Sequence, residues 1–474
     1  MDGIGRPNMP QTLHSISTAL RKGELTSVAL TEQAIANRRR TENWNAYKTW
    51  APDDALAAAE AADGDFKRGA DRGLLQGIPV SVKDIFGVDY LPTFAGTRRE
   101  LPAAWRRQGF VVNRVRGSLG VVTGKTHTVE LAFGALGVNS HWGTPVNPWD
   151  PVHHRAPGGS SSGAGVSIRQ GSALVALGTD TAGSVRIPAA MTGVVGLKTS
   201  HGRWPMDGVV PLSQTLDSAG VLVRSVDDAV FAFAAVDARW PTLESLRAEM
   251  ARRMPETVRV GLPEETFADC EDGIAEVVMG AVDELQSGGM KTVHLSLPEV
   301  DQARALLARG SVASAQCAEF VRAELPAWLD AMDPLVSLRI RDGGEISALE
   351  YLSRHRQLRK LAAAAAACFA GFTVLACPTV RISPPRVDQV ATVGTYRPRN
   401  MAALANTCFA NMMRLCAVTI PAGLDRNGMP VGLQLLAPHN EEELLLAVAA
   451  RAEEILGTPD ARIGKPSPSP EVRA

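Results

Sequence analysis

The 474-residue sequence has no apolar run long enough to cross a membrane and almost no net charge. No stretch of about 18 consecutive apolar residues occurs, which argues against a transmembrane helix. The formal net charge is −1 and the longest basic run is Arg38-Arg39-Arg40, so nothing favours binding to nucleic acid or to an anionic membrane. The first residues also lack the apolar core and cleavage pattern of a secretory signal. We therefore expect a cytoplasmic protein without nucleic-acid or membrane partners.

The sequence also lacks paired cysteines and metal-ligand spacings. Its six cysteines are scattered, with no C-x-x-C pair and no histidine at ligand spacing. This pattern predicts neither a disulfide framework nor a zinc site, and we expect reduced, mostly buried thiols. The adjacent His153 and His154 would point to opposite sides of an extended chain, so a shared metal is not expected. The sequence predicts no metal site.

The composition is that of an ordinary globular protein, with 45% apolar and 21% charged residues. The length alone suggests two or three domains, although one large α/β sheet can exceed that rule. Strand and helix patterns alternate through the middle of the chain, which favours an α/β fold. The patterns predict two helices from 11 to about 35, strands at 258–262, 293–297, 373–377, 418–421 and 431–436, a helix at 274–285, a largely helical stretch at 300–372, and an amphipathic helix at 440–456. No internal repeat or linker between domains is visible.

Two serine clusters lie in glycine-rich turns between Ala156 and Lys198. The first occupies 158–163 and the second 178–186, and the apolar run 173–177 between them predicts a buried strand. Such composition is usual in flexible linkers. A linker would not be embedded in apolar sequence, however, so we favour turns that position backbone amides for chemistry or for a ligand.

Lys83 stands in a second apolar block, at 74–86, which predicts a turn followed by a buried strand. Lysine is scarce here, with nine lysines among 49 basic residues. One interpretation is that Lys83 extends to solvent or pairs with Asp84. The other is that burial lowers its pKa, so that it can act as a base. The residues alone leave both open.

Two further segments bear on function. Gly124-Lys125-Thr126 resembles the end of a phosphate-binding loop, but the glycine required five residues before Gly124 is Leu119, so no nucleotide site is expected. The segment 381–400 is rich in proline and arginine without periodicity, and we predict a loop at the surface or at a pocket rim.

Lys83, Ser160 and Ser184 are three polar residues in apolar or glycine-rich surroundings. A serine hydroxyl needs a base to become a nucleophile, and neither a histidine motif nor G-x-S-x-G or S-x-x-K supplies one here. A neutral lysine is a sufficient base, and Ser160 could relay the proton because a hydroxyl both donates and accepts. The backbone from Thr181 to Ser184 could direct several N–H groups at a developing oxyanion.

Three blocks of the sequence resemble the signature blocks of the amidase signature family: GIPVSVKDIF, APGGSSSGAG and GTDTAGSVRIPA. The segments GLKTSHGR, DSAG and GMPVGLQLLAP extend the resemblance over nearly the whole chain. It implies an α/β fold with a single large α/β/α domain, in which helices cover a mixed central β-sheet. That domain would span 1–463 and leave 464–474 as a disordered tail rich in proline and serine.

The resemblance also implies a Ser-Ser-Lys triad that hydrolyses a carboxylic amide C–N bond through an acyl-enzyme. Ser184 would be the nucleophile, Ser160, preceded by a cis peptide bond, would relay the proton, and Lys83 would be the base. The interval of 24 residues between the two serines agrees with the family pattern. No cofactor or metal is expected.

The oxyanion hole and the pocket are inferred from the same resemblance. The backbone amides of Thr181, Ala182, Gly183 and Ser184 would hold the oxyanion, and Phe133 and Gly134 would line the substrate pocket. The family commonly has Gly-Gly before the nucleophile, whereas this chain has Ala182-Gly183. We infer that residue 182 adopts an allowed backbone conformation with negative φ.

Several related functions fit the same chemistry. The substrate would be a small amide-type molecule, and carbamates, ureas and aryl amides are close variants. A different class is the glutaminase subunit of a tRNA-dependent amidotransferase, which would need partner subunits. A catalytically inactive scaffold is disfavoured because Lys83, Ser160 and Ser184 are all present. A homodimer is the assembly that the family suggests.

Overall fold

The computed structural model describes residues 12–271 and 273–466, which form one domain around a single β-sheet of eleven strands. The strands are β1 (Tyr47–Trp50), β2 (Pro79–Lys83), β3 (Val121–Thr126), β4 (Val175–Asp180), β5 (Val195–Lys198), β6 (Ser218–Val223), β7 (Arg259–Pro263), β8 (Lys291–Leu295), β9 (Val374–Pro378), β10 (Cys416–Leu424) and β11 (Pro430–Ala437). Their spatial order is β1-β3-β2-β4-β6-β5-β10-β11-β9-β7-β8. The sheet thus brings together strands that are far apart in sequence.

The sheet is mixed, and its parallel pairs position the site. Strand β2 runs parallel to both β3 and β4, and β7 runs parallel to both β8 and β9. The remaining pairs are antiparallel. Every residue of β2, β3 and β4 is buried, as expected for strands covered on both faces.

Helices surround the sheet. They are α1 (Leu13–Lys22), α2 (Ser27–Arg40), α3 (Pro52–Lys67), α4 (Phe110–Gly117), α5 (Ser162–Gln170), α6 (Arg186–Thr192), α7 (Val226–Val236), α8 (Leu243–Arg253), α9 (Ile274–Ser287), α10 (Glu299–Ala308), α11 (Ala313–Glu324), α12 (Pro334–Gly344), α13 (Ala348–Cys368), α14 (Val393–Leu404), α15 (Cys408–Met412), α16 (Glu442–Leu456) and α17 (Pro459–Ile463). None of these helices is long and apolar enough to cross a membrane.

Most of the predicted elements are present. The two opening helices, the strands of the middle of the chain and the closing strand pair occur near their predicted positions, and α16 carries Glu442 and Glu443 in its first turn, where the helix dipole favours acids. The naive count of two or three domains is wrong, because one sheet continues through the chain. Gln11 of the first predicted helix and residues 467–474 of the predicted tail lie outside the described residues.

The prediction of a loop at 381–400 is wrong in its second half. Residues from Val393 onward form α14, which contains Pro398. Tyr396, Asn400, Ala403 and Leu404 are buried. Their spacing of four, three and one residues places them on one helical face, and the packing of that face outweighs the cost of the internal proline.

Candidate active site

Lys83 is the last residue of β2, and its ammonium group contacts one residue from each of two other segments of the chain. Its Nζ donates to Ser160 Oγ and to Thr179 Oγ1, each at 2.8 Å. Thr179 lies near the end of β4, the parallel neighbour of β2, and carboxyl ends of parallel strands meet at one edge of a sheet. Lys83 is fully buried. The interpretation that Lys83 extends to solvent is therefore wrong.

Asp84 pairs with a different lysine. Its Oδ1 lies 2.9 Å from Nζ of Lys125 on β3, and both side chains are fully buried. Because Asp84 pairs with Lys125, it does not form the ion pair with Lys83 that one interpretation of the sequence suggested. The Asp84–Lys125 pair also gives the Gly124-Lys125-Thr126 segment a structural role inside β3.

Ser160 lies in the turn before α5. The Gly159–Ser160 peptide bond is cis, as the resemblance implies. The carbonyl oxygen of Ser160 accepts hydrogen bonds from the N–H groups of Val129 (3.1 Å) and Ser162 (2.8 Å). These bonds fix the backbone of a fully buried residue whose hydroxyl accepts from Lys83.

Ser184 lies in the turn between β4 and α6. Its carbonyl oxygen accepts from the N–H of Ser161 at 3.3 Å, which ties the two serine turns together. Its side chain lines a cavity that Lys83 does not reach. Within the described residues, the Ser184 hydroxyl forms no hydrogen bond to Ser160 or Lys83. The structure thus joins Lys83 to Ser160 directly, and places Ser184 beside them through the backbone.

The turn before Ser184 offers three N–H groups rather than four. The N–H of Gly183 donates to Asp180 Oδ1 at 2.8 Å, so it is not available to an oxyanion, which corrects the predicted set. The N–H groups of Thr181, Ala182 and Ser184 have no acceptor among the described residues. Ala182 has no positive φ, as inferred from the sequence, and Gly183 has φ of +141°.

A glycine is required at 183 for a second reason. A Cβ added there would lie 2.6 Å from Ile187 Cδ1 and closer still to Thr407 Oγ1. The conformation and the close approach both exclude a side chain. Position 182 of the motif can therefore carry a side chain, whereas position 183 must be glycine.

Asp180 and Arg186 hold this turn from within the core. Arg186 Nη2 lies 2.9 Å from Asp180 Oδ1, and both side chains are fully buried. Burial alone would raise the pKa of Asp180, but the charge and hydrogen bonds of Arg186 hold it below the ordinary value. Arg186 also donates to Asn411 Oδ1 at 2.6 Å. Sequence reasoning missed this pair, although two opposite charges inside an apolar, glycine-rich block are a signal for it.

The electrostatic environment of Lys83 favours its neutral form. Burial lowers its pKa from 10.5 to about 7, although the charges of Asp217 and Asp180 partly oppose this. Burial also raises the pKa of Asp217 to about 6. Asp217 accepts from Thr181 Oγ1 at 2.5 Å, so the DSAG segment contacts the oxyanion turn. A lysine with this pKa can accept a proton near neutral pH.

A cavity of about 630 Å³ opens beside Ser184. Thr181, Ala182, Phe133 and Gly134 line it, together with residues of α12, which the sequence did not indicate. Residues of α14 also line it, and several of them lie within the segment 381–400 that was predicted at the surface or at a pocket rim. A Cβ on Gly134 would lie 2.9 Å from Val129 Cγ1 and closer to the Tyr396 hydroxyl, so this wall also needs a glycine. The volume suits a small organic molecule.

In the part of the chain that the structure describes, no group of three or more histidine, cysteine, aspartate or glutamate side chains could hold a metal ion. The six cysteines are free thiols, and four of them are buried.

A large mixed sheet thus positions a buried lysine–serine pair at the end of β2, next to a serine that lines a cavity. A family model described as Amidase matches residues 29–446. The chain therefore belongs to the amidase family, and it is an amidohydrolase that acts on carboxylic amide C–N bonds.

Similar proteins come from sequence and structure comparisons. A 2-amino-5-chloromuconic acid deaminase of Comamonas testosteroni is 48% identical, over 94% of this chain and 96% of that protein. An indoleacetamide hydrolase of Pantoea agglomerans pv. gypsophilae is 32% identical, over 95% of this chain and 98% of that protein. A crystal structure of an amidase superposes with a TM-score of 0.84 and 28% identity, covering 94% of this chain and all of that one.

Proposed function

We propose that the chain hydrolyses a small amide-type substrate through an acyl-enzyme on Ser184, with Ser160 as proton relay and Lys83 as base. The observation that carries this proposal is the 2.8 Å hydrogen bond from Lys83 Nζ to Ser160 Oγ. A fully buried lysine with a pKa near 7 is half neutral at physiological pH, and a hydroxyl is its direct partner. This arrangement supplies the base that Ser184 needs.

The first half of the reaction transfers the acyl group to the enzyme. The Ser184 hydroxyl turns toward Ser160 and attacks the substrate carbonyl carbon. Its proton passes to Ser160 as Ser160 passes its own to neutral Lys83. The free N–H groups of Thr181, Ala182 and Ser184 stabilise the oxyanion, and loss of one such donor typically costs about 3 to 4 kcal/mol. The C–N bond then breaks, and the proton returns through Ser160 to the leaving nitrogen.

The second half restores the enzyme. One water attacks the ester of Ser184 and gives its proton to the same relay. The acid leaves, and Ser184 recovers its proton. Overall, one water is consumed, one C–N bond breaks, and one acid and one amine or ammonia are released. Carbamates, ureas and aryl amides fit the same steps, because each has a carbonyl carbon with a nitrogen leaving group.

Hydrolytic deamination is a second candidate function. It is favoured by the 48% identity to a 2-amino-5-chloromuconic acid deaminase over nearly the whole of both chains. In such a reaction, water replaces the amino nitrogen and ammonia leaves. Like primary amide hydrolysis, this reaction consumes one water and releases one ammonia, and it also needs a base to activate the attacking nucleophile.

The Ser184→Ala variant tests the proposal. We expect ammonia or amine release from a panel of aliphatic amides, aryl amides, carbamates, glutamine and 2-aminomuconate-type acids to fall to background. Ser162→Ala is the matched control, because the Ser162 hydroxyl is buried without a hydrogen-bond partner in the described chain, and this variant should keep its activity. Full activity of Ser184→Ala, with an unchanged thermal midpoint, would exclude the mechanism.

The role of a glutaminase within a tRNA-dependent amidotransferase is tested by the same panel. One component of the Glutamyl-tRNA(Gln) amidotransferase of Akkermansia muciniphila is 32% identical over 92% of this chain. We propose instead that this chain acts without other kinds of subunit, as a homodimer in the cytoplasm. Light scattering of the purified chain measures its assembly, and hydrolysis of simple amides by that preparation measures its independence.

A further inference from the structure

The charged residues that line the cavity are mostly cationic. Four arginines and one aspartate are among the lining side chains: Arg309, Arg339, Arg354, Arg397 and Asp342. The remaining walls are largely aliphatic and include Leu212, Leu216, Leu335 and Met412. An excess of positive charge in an apolar cavity favours an anionic occupant.

Three of these arginines already have acidic partners. Arg354 Nε lies 2.8 Å from Glu350 Oε1, and Arg309 pairs with the same carboxylate. Arg397 lies 4.0 Å from Asp342, and both of those side chains are exposed. The charges of these residues are therefore at least partly compensated within the protein.

Arg339 differs from the other three. It is half-buried on α12, and its guanidinium carbon lies 3.7 Å from the centre of the Phe133 ring. Its Nη1 donates to the Phe133 carbonyl oxygen at 2.9 Å. Among the described residues, its other N–H groups have no acceptor and the guanidinium has no carboxylate partner. The stacking and the single bond fix the group, and leave donors free at a cavity wall.

A partly buried guanidinium without a carboxylate partner costs free energy, unless a ligand accepts its remaining hydrogen bonds. Desolvation disfavours the cation, and burial lowers the pKa of Arg339, although arginine stays protonated in proteins. A carboxylate is the complementary group, because it can accept two parallel hydrogen bonds from a guanidinium. Phe133, which contacts Arg339, lines the same cavity as Ser184 and the oxyanion turn.

We propose that Arg339 binds a carboxylate of the substrate, so that the natural substrate is an acid whose scissile C–N bond lies at a distance from that carboxylate. The inference rests on the proposed function of Ser184. The arginines also disfavour a positively charged group in the substrate. Among the described residues that line the cavity, the only acidic one is Asp342, which is exposed beside Arg397, so an ammonium group would meet mainly arginines. The substrate is thus an anion and not a zwitterion such as glutamine.

Matched substrates separate charge from shape. Succinamate and glutaramate carry a carboxylate, whereas butyramide and pentanamide have a methyl group in its place. Glutamine is glutaramate with an added ammonium group. For the native enzyme, we expect kcat/KM to be at least about tenfold higher for the anionic amides than for their neutral counterparts. Glutamine should be a poorer substrate than glutaramate.

The Arg339→Met variant should remove this preference. Loss of a charged hydrogen-bond pair should lower kcat/KM for glutaramate about 10- to 100-fold, mainly through KM. Hydrolysis of the neutral amides should fall clearly less than that of glutaramate, because they have no carboxylate to bind. Arg339→Lys, which keeps the charge but loses the two-pronged geometry, should be intermediate. Arg341→Met is the matched control, because Arg341 lies on the same helix but is exposed and paired with Asp330 at 2.5 Å.

Direct binding provides a readout that needs no turnover. Calorimetry with glutarate and succinate on the Ser184→Ala protein should give binding that the added Arg339→Met change weakens about 10- to 100-fold. No binding, or equal binding with and without Arg339, overturns the inference. So does a native preference for neutral amides, or an equal loss on both substrate classes in Arg339→Met. If hydrolysis of every amide instead persists in Ser184→Ala, the proposed function fails, whatever Arg339 binds.

Discussion

Lys83 should make hydrolysis depend on one ionisation near neutral pH. The base works only when neutral, and its pKa is lowered from 10.5 to about 7 by burial. At pH 7, about half of the molecules then carry a neutral lysine, whereas a lysine with the ordinary value is neutral in only about 0.03%. Burial thus raises the competent fraction by about three orders of magnitude. The rate should rise with pH through about 7, and should not fall again at moderately alkaline pH.

The charge of Asp217 provides a way to shift this profile. Asp217 raises the pKa of Lys83, since a nearby negative charge stabilises the ammonium form. In Asp217→Asn this stabilisation is lost, so the midpoint of the rate profile should move to lower pH. Lys83→Met should abolish activity at every pH.

The assay is kcat/KM between pH 5 and pH 9.5, measured by amine or ammonia release at constant ionic strength. A midpoint near 7 predicts a rate at pH 6 that is about tenfold below the plateau. Far-UV circular dichroism at each pH checks that the fold is kept. Activity that peaks in acid, or an Asp217→Asn profile that moves to higher pH, would refute Lys83 as the base.

Three further substitutions test the turn that carries Ser184. Gly183→Ala should lose most activity, because φ is +141° and a Cβ would press on Ile187; steady-state rates equal to native would contradict the geometry. Ala182→Gly should keep kcat and lose only about 0.5–1 kcal/mol of stability in urea unfolding, because Ala182 has no positive φ. Arg186→Met should lower the free energy of unfolding by about 3–5 kcal/mol, since it leaves Asp180 buried without its partner. The exposed Arg451–Glu454 pair is the control, where Arg451→Met should cost less than about 1 kcal/mol, and equal losses would argue against the buried network.

Short-range patterns in the sequence predicted many of the strands and helices of the fold. The apolar runs of β4, β9 and β11 and the amphipathic face of α16 are short-range features, and each is visible in a window of a few residues. Helix α14 was missed because Pro398 and its neighbouring arginines obscure the pattern. Its buried face is nevertheless present in the spacing of Tyr396, Asn400 and Ala403.

The sequence by itself determined which residues are the candidates for the chemistry. Lys83, Ser160 and Ser184 are identifiable because a polar group in an apolar or glycine-rich block is costly unless it has a use. The family resemblance, which the family model confirms, rests on the same blocks. Small residues at 182 and 183 also indicate a tight turn, although not which of the two must be glycine.

Only the tertiary structure decided the partners of these residues. Lys83 meets Ser160 and Thr179, and not Asp84, because β4 lies next to β2 in the sheet although about ninety residues separate them in the chain. The same long-range packing brings Arg339 of α12 against Phe133. Such contacts depend on strand order and helix placement, which a periodic pattern within one segment does not specify.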